Sequence, residues 1–284
     1  MKKIAFYSLL LSAFAVLSAC EMFEVDNYDA PDQTLRGEVV DVLTGEPVLT
    51  EQSNEGIRLR LIESSWDPAL RDPGKDVRVN CRPDGTFQHT KLFKATYTVL
   101  PEGPFIPLLR RSYADNEAGR TVLAADYKTV KLNGKEEFLQ FKVQPFLKVE
   151  FVGDPTTSNG KINALVRVTR AVSEADFRAA IEPTMGGGSP YSSGLLNVTD
   201  IQLFVSYSTS VGQRTRENLW SSKIEYAGSA FNPLLGQPVF IQSNGVIPSG
   251  RTVYVRAAAR IDYATGSDPN TKRYNYSQVM EVTL

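Results

Sequence analysis

Alternation of apolar with polar residues recurs along most of this chain, and it limits the possible folds more than any other feature. LRGEVVDV (35–42), IRLRLIE (57–63), VRVNC (77–81), TYTVLPE (96–102), KTVKLNG (128–134) and EFLQFKVQ (137–144) each place every second side chain on one face. A period of two suits a half-buried strand, whereas a helix, with about 3.6 residues per turn, would spread the same apolar residues around its circumference. After Pro145 a second series begins: FLKVEFVG (146–153), INALVRVTR (162–170), VTDIQLFVSYST (198–209), LWSSKIEYA (219–227), PVFIQ (238–242), TVYVRAAARID (252–262) and YSQVMEVTL (276–284). Thr44-Gly45-Glu46-Pro47, Arg82-Pro83-Asp84-Gly85 and Asn133-Gly134 punctuate the runs as turns, because glycine accepts positive φ and proline fixes its own. Two series of six or seven strands predict an all-β chain of two tandem β-sandwiches, over 34–144 and 145–284.

One segment breaks the pattern. Ser173 to Glu182 offers a serine cap, an acidic residue three positions on, and apolar Phe177 and Ile181 one turn apart, so a short helix is predicted within the second sandwich. The triple glycine that follows, Gly186 to Gly188, neither follows a strand nor opens a helix. It reads as a surface loop and not as a phosphate cradle.

The first residues are of another kind. Lys2 and Lys3 precede an apolar run, Ile4 to Val16, and Leu17-Ser18-Ala19-Cys20 closes it with small residues and a thiol. This is the layout of an export signal, too short in its apolar part to span a bilayer comfortably. LSAC resembles the lipobox of bacterial lipoproteins, which implies a signal peptide over 1–19 and lipid attachment at Cys20. An ordinary signal peptide cut nearby and a retained anchor helix are the other readings of the same layout. Residues 20–33 then form an acidic tether carrying Glu21, Glu24, Asp26, Asp29 and Asp32, whose like charges keep it extended. Acidic residues just after the cysteine also resemble the surface-export signal of Bacteroidetes lipoproteins. The expected location is the outer membrane, on the side facing the cell exterior.

Composition supports a folded body after the signal. Of 284 residues, 42% are hydrophobic, and the formal net charge of -1 comes with no Lys/Arg-rich block, so nothing marks a nucleic-acid partner. There are two cysteines. With Cys20 lipidated, Cys81 has no partner for a disulfide, and its alternating context reads as a strand residue in preference to a reactive thiol.

Asp84-Gly85-Thr86-Phe87, Leu92-Phe93 and Thr96-Tyr97 with Val99, downstream of LRGEVVDVLTGEPV, resemble the signature of transthyretin-like (prealbumin-like), carboxypeptidase-regulatory-like domains. In that signature an Asp-Gly turn leads into a strand while Phe and Tyr fill the space between sheets. Ala95 stands where the signature has glycine. The longer stretches DNYDAPDQTLRGEVVDVLTGEPVLTEQSNEGIRLRLIESSW and DGTFQHTKLFKATYTVLPEGPFIP resemble a domain-of-unknown-function family of Bacteroidetes lipoproteins from polysaccharide-utilisation loci. That resemblance implies a transthyretin-like sandwich followed by an immunoglobulin or fibronectin type III-like one, and a place beside outer-membrane transporters. TVYVRAAARIDYATGSDPNTKRYNYSQVMEVTL is similar to the last two strands of a fibronectin-type module.

Catalysis finds little support in the residues. His89 is the one histidine, expected in an exposed loop, and no carboxylate pair stands out by spacing or apolar context as acid and base. No cofactor is expected, and no metal site is assigned. Asp67, Asp72, Asp76 and Asp84, in or near WDPALRDPGKD, supply oxygen ligands for calcium but match no known loop spacing, and a solvated connection is the commoner outcome.

Saccharide binding is the positive expectation, because sugars stack on aromatic faces and take hydrogen bonds from loops. Trp66, Tyr113, Tyr191, Trp220, Tyr263 and Tyr274 lie in or beside loop-like stretches, and Trp66, Tyr191, Trp220 and Tyr263 are the candidate ligand contacts. Each has core packing as its alternative. The expected function is therefore a non-catalytic surface lipoprotein that binds or presents a polysaccharide or oligosaccharide for uptake. The alternative is a structural module that contacts an outer-membrane transporter or an adhesin assembly.

Overall fold

A computed structural model describes residues 29–64, 76–267 and 270–284. Cys20, Trp66, Asp67 and Asp72 lie outside the described residues.

The first sandwich pairs two sheets. One has the order β4-β1-β9, from β1 (Gln33–Asp41), β4 (Thr86–Leu92) and β9 (Glu136–Val143). The other has the order β3-β2-β5-β8, from β2 (Arg58–Glu63), β3 (Val77–Asn80), β5 (Ala95–Glu102) and β8 (Lys128–Leu132). β1 is antiparallel to β4 and parallel to β9. Leu35, Val39, Leu59, Leu61, Val99 and Phe141 are buried between the sheets, as the alternation requires. The Asp84-Gly85 turn works through its chemistry: Gly85 has φ 81° and Asp84 Oδ1 accepts from Thr86 N at 3.0 Å. Phe87 and Tyr97 are both buried beyond it. His89 is a half-buried residue of strand β4, not a loop residue, because β4 runs on to Leu92 along β1.

Two short strands escape the period-two pattern. β6 (Leu109–Arg111) and β7 (Val122–Ala125) form a two-stranded ribbon between β5 and β8, too short and too exposed to show alternation.

The second sandwich begins immediately after Val143. One sheet holds β10 (Leu147–Phe151), β11 (Thr156–Ser158), β12 (Lys161–Arg170) and β15 (Pro238–Gln242), all paired to β12. The other has the order β14-β13-β16-β17, from β13 (Val198–Ser206), β14 (Ser222–Glu225), β16 (Thr252–Ile261) and β17 (Asn275–Thr283). Helix α1 (Glu174–Ile181) is capped by Ser173 Oγ, which accepts from Asp176 N, and buries Phe177, Ala180 and Ile181. The chain is thus all-β, two sandwiches with a single short α-helix among the described residues. None of the described helices is long and apolar enough to cross a membrane.

The β14-β13-β16-β17 sheet is covered on both faces. Ile201, Leu203 and Val205 face its own core, and Phe204, Ala258, Tyr274 and Tyr276 form a separate buried cluster with Leu49 of the first sandwich. Alternation in VTDIQLFVSYST predicts a solvated polar face. The first sandwich covers that face, and its polar residues acquire protein partners in place of water. Arg256, only 1% exposed, donates to the carbonyls of Thr50 (2.5 Å), Pro83 (3.2 Å) and Ser277 (2.8 Å). Arg273 donates to the carbonyls of Asn54 (2.9 Å) and Gly56 (2.7 Å). Asp200 accepts from Tyr274 Oη and Arg260 Nε, both at 2.7 Å.

Candidate functional site

The covered sheet leaves a cleft where the sandwiches diverge. Strand β5 ends at Glu102, and Gly103 to Leu109 carries the chain over to the ribbon, which contacts the segment after helix α1. Two bonds tie the opposite wall in place: Thr265 Oγ1 donates to Gly103 O at 2.7 Å, and Ser267 Oγ to Glu102 Oε1 at 2.9 Å. Between these walls lies a cavity of about 490 Å³. That falls within the size of pockets that hold small ligands, about 300–1,000 Å³.

Arg60 and Glu102, which line the cavity, belong to a cluster of two arginines and two carboxylates. Across β2 and β3 the register sets Arg60 opposite Arg78, a like-charge pair that would repel if left alone. Asp76 lies between them, 2.5 Å from Arg60 Nε and 2.8 Å from Arg78 Nε, with its side chain 1% exposed. Glu102 completes the quartet at 3.7 Å from Arg60 and 3.4 Å from Arg78. Two cations and two carboxylates cancel while holding one another in fixed rotamers. The alternation in IRLRLIE and VRVNC sets these arginines on one face, but only the register reveals that they meet.

Two tyrosines form the aromatic part. Tyr113 is 40% exposed, and its ring packs against Gly186 and Gly187 of the triple-glycine loop. A Cβ on Gly186 would come within 2.3 Å of the ring and one on Gly187 within 2.5 Å of the hydroxyl, so these glycines admit the tyrosine. Tyr113 N donates to Pro183 O at 2.9 Å, and the hydroxyl donates to Asp115 Oδ1 at 2.9 Å. Tyr263 stands edge-on to Phe146 and Phe177, with centroids 5.9 and 5.5 Å away. Burial raises its phenol above the usual tyrosine range, against the opposing pull of Arg110.

Residues 33–144 match the model for the N-terminal domain of a protein of unknown function, DUF3823. A DUF3823 family protein from Bacteroides uniformis ATCC 8492, of solved structure, is 51% identical over 89% of this chain and 100% of that one, with a TM-score of 0.79. The chain belongs to the DUF3823 family. A second structure from the same organism, described as a "putative carbohydrate binding protein", is 18% identical over 89% of this chain and 100% of that one, with a TM-score of 0.59. A DUF3823 family protein from Parabacteroides merdae ATCC 43184 is 16% identical over 90% and 100%, with a TM-score of 0.54. No curated protein matches the chain.

In this DUF3823 chain the remaining sequence candidates disperse. Trp220 packs edge-on to Tyr207, centroids 5.1 Å apart, at the opposite end of its sheet from Tyr263. Eight steps along β13 (Val198–Ser206) separate those ends, about 26 Å at ~3.3 Å per residue. Tyr191 is half-buried beneath the guanidinium of Arg178, 5.5 Å from its ring centroid, and burial raises its phenol. Tyr274 is a core residue at 3% exposure. Cys81 is fully buried, and burial raises its thiol far above the range in which a thiolate forms. His89 Nδ1 accepts from Lys91 N at 3.3 Å, and burial lowers its pKa. The two described aspartates of the calcium expectation have partners: Asp76 the two arginines, Asp84 the Thr86 hydroxyl at 2.7 Å.

Proposed function

We propose that this DUF3823 protein is a non-catalytic glycan-binding lipoprotein of the cell surface, anchored through Cys20, which receives an oligosaccharide in the cleft between its sandwiches. The observation that carries the reading is the cleft itself, where an exposed Tyr113 and the Tyr263 wall flank Arg60 and Glu102, two members of the ion cluster. Tyrosine offers C–H groups of a sugar a flat apolar face with a polar tip, and the fixed quartet needs no reordering when a ligand arrives. The carbohydrate-binding description attached to one distant structural relative is in keeping with it.

Affinity electrophoresis of the purified protein through gels containing soluble polysaccharides tests the reading. Retention that Tyr113→Ala abolishes supports it, and free migration through every polysaccharide that induces expression of the protein refutes it. The anchor is tested separately. Incorporation of a labelled fatty acid should be lost in Cys20→Ser, and surface protease should cleave the intact protein on whole cells.

A second reading, a module that docks on a transporter or other surface protein, is favoured by the ribbon. Among the described residues β7 pairs only with β6, and Val122 and Leu123 on it are 59% and 44% exposed. An open, partly apolar strand edge can add a strand from another chain. Crosslinking on intact cells separates the readings, since a protein partner recovered without polysaccharide favours docking.

A further inference from the structure

We propose that the outer edge of strand β9 is a homodimer interface, where a second copy of the chain adds its own β9 antiparallel and in one register. The proposal is independent of the glycan reading. β9 ends the sheet of order β4-β1-β9, and among the described residues it pairs with β1 alone. That pairing runs from Thr34 with Glu136 to Asp41 with Val143 without a bulge, and the eight residues EEFLQFKV include no proline. Bulges, proline and brevity are common guards of an open edge, and β9 has none of them. Charge is the guard it does carry, and its charges are complementary to themselves.

The bonds to β1 show which backbone groups face outward. Thr34 N donates to Lys135 O at 2.6 Å and Val42 N to Val143 O at 2.8 Å, so the odd-numbered residues of β9 turn their N–H and C=O toward β1. Glu136, Phe138, Gln140 and Lys142 therefore turn theirs to the open edge. The same four side chains are exposed, Phe138 at 51%.

An antiparallel copy centred on Leu139 matches all four. Glu136 faces the second copy's Lys142 and Phe138 faces its Gln140, and two-fold symmetry repeats both pairs in reverse. Each pair exchanges two backbone bonds, and opposite charges meet at both ends. Sliding by two residues sets Glu136 on Gln140 or Phe138 on Lys142 and leaves one of the four off the end of the partner strand. Sliding by one sets outward groups against inward ones. Lys142 is exposed, and no described carboxylate pairs with it. Glu136 gives Oε1 to Arg36 Nε at 2.7 Å, which leaves Oε2 for a second cation. Arg36 also stands 5.5 Å from the Phe138 ring centroid, and the second copy's Gln140 would cover that exposed ring.

One strand pair buries less than the roughly 1,200 Å² of a stable complex, so the dimer is weak in solution. Copies held on one membrane meet at a higher effective concentration.

Sedimentation velocity on the purified protein, in a series rising to millimolar concentration, tests the interface. The expected result is a dimer whose Kd rises at least tenfold in Lys142→Glu and recovers in the charge exchange Glu136→Lys/Lys142→Glu. Leu139→Cys, at the two-fold axis, should give a disulfide-linked dimer under mild oxidation, in solution and on intact cells, with the parent as control for Cys20 and Cys81. Glu136→Cys should not, since it lies six residues from its counterpart, about 20 Å at ~3.3 Å per residue. Unchanged thermal unfolding of the variants shows that any loss is not misfolding. A parent that stays monomeric throughout the series, with no Leu139→Cys crosslink on cells, overturns the proposal. A dimer indifferent to Lys142→Glu, or crosslinked as readily through Glu136→Cys, overturns it as well.

Discussion

The two sandwiches meet at two polar places that are built differently. At the cleft, Asp76 and Glu102 each engage two arginines, and one buried donor of the group, Arg78 Nη2, has no hydrogen-bond partner. On the covered sheet face, Glu51 is 2% exposed, with Oε2 accepting from Arg214 N at 3.1 Å and Oε1 left without a partner. The Tyr276 hydroxyl is buried and unpartnered as well, and the nearby Arg256 is engaged by three carbonyls. A buried charge is tolerated when its partners are charged and fixed, and it is a burden when they are not. At the cleft opposite charges pair with one another, whereas on the covered face Arg256 is met by neutral carbonyls.

Substitutions can break this contrast. The largest effect is expected from Arg256→Ala, which strands the carbonyls of Thr50, Pro83 and Ser277 between the sandwiches. Urea unfolding should show a loss of about 5 kcal/mol, at about 1–3 kcal/mol for each unsatisfied group. Next comes Asp76→Asn, which leaves Arg60 and Arg78 opposed with Glu102 alone to hold them. Removing one partner of a buried ion pair costs about 3–5 kcal/mol, and the loss should shrink in the double variant Asp76→Asn/Arg78→Met.

Gly186→Ala has a smaller effect on folding and a larger one on the site. The added methyl needs the space of the Tyr113 ring, so a cost of about 2 kcal/mol should accompany loss of glycan retention. A variant that binds as the parent does would show that Tyr113 is not held for a ligand.

Glu51→Gln is the smallest and runs the other way. Burial raises the Glu51 pKa, outweighing the hydrogen bond from Arg214 N that lowers it. With the folded value above the unfolded one, the folded state binds more protons. The favourable contribution of Glu51 is complete below the unfolded carboxylate pKa and is lost as pH rises through the folded value. Glu51→Gln should therefore gain stability at neutral pH, about 1 kcal/mol or less, with the gain shrinking as the solution is acidified. Asp200 has the opposite sign. Burial works to raise it, but hydrogen bonds from Tyr274, Gln202 and Arg260 bring it below the ordinary value, so its contribution fades as pH falls through that lowered value. Comparing Glu51→Gln with the parent at each pH isolates the first effect from the second.

Long strands with one wet face were readable in advance because alternation is local. PVFIQ is strand β15 from end to end, and the Ser173 cap begins helix α1. β6, β7 and β11, of three or four residues, are too short to show a period. The second buried face of β13 was hidden for another reason. Asp200, Gln202 and Ser206 read as solvated because the sequence does not show that Leu49 to Glu51 would lie over that sheet. The cleft is similarly non-local. Its walls come from residues near 60, 102, 113, 186 and 263, which only tertiary pairing brings together. Tyr113 and Tyr263 were visible as aromatics near loops, while Trp220, chosen on the same grounds, lies at the far end of its sheet.

The position of β1 sets an order in time. Although first among the described strands, it occupies the middle of its sheet, and its parallel neighbour β9 spans Glu136–Val143. On a chain made from its N-terminus, β1 must wait about a hundred residues for that neighbour, a delay that makes such pairings slow. Until then one edge of LRGEVVD stands open, and synthesis halted before Glu136 leaves a product whose first sheet has no way to close.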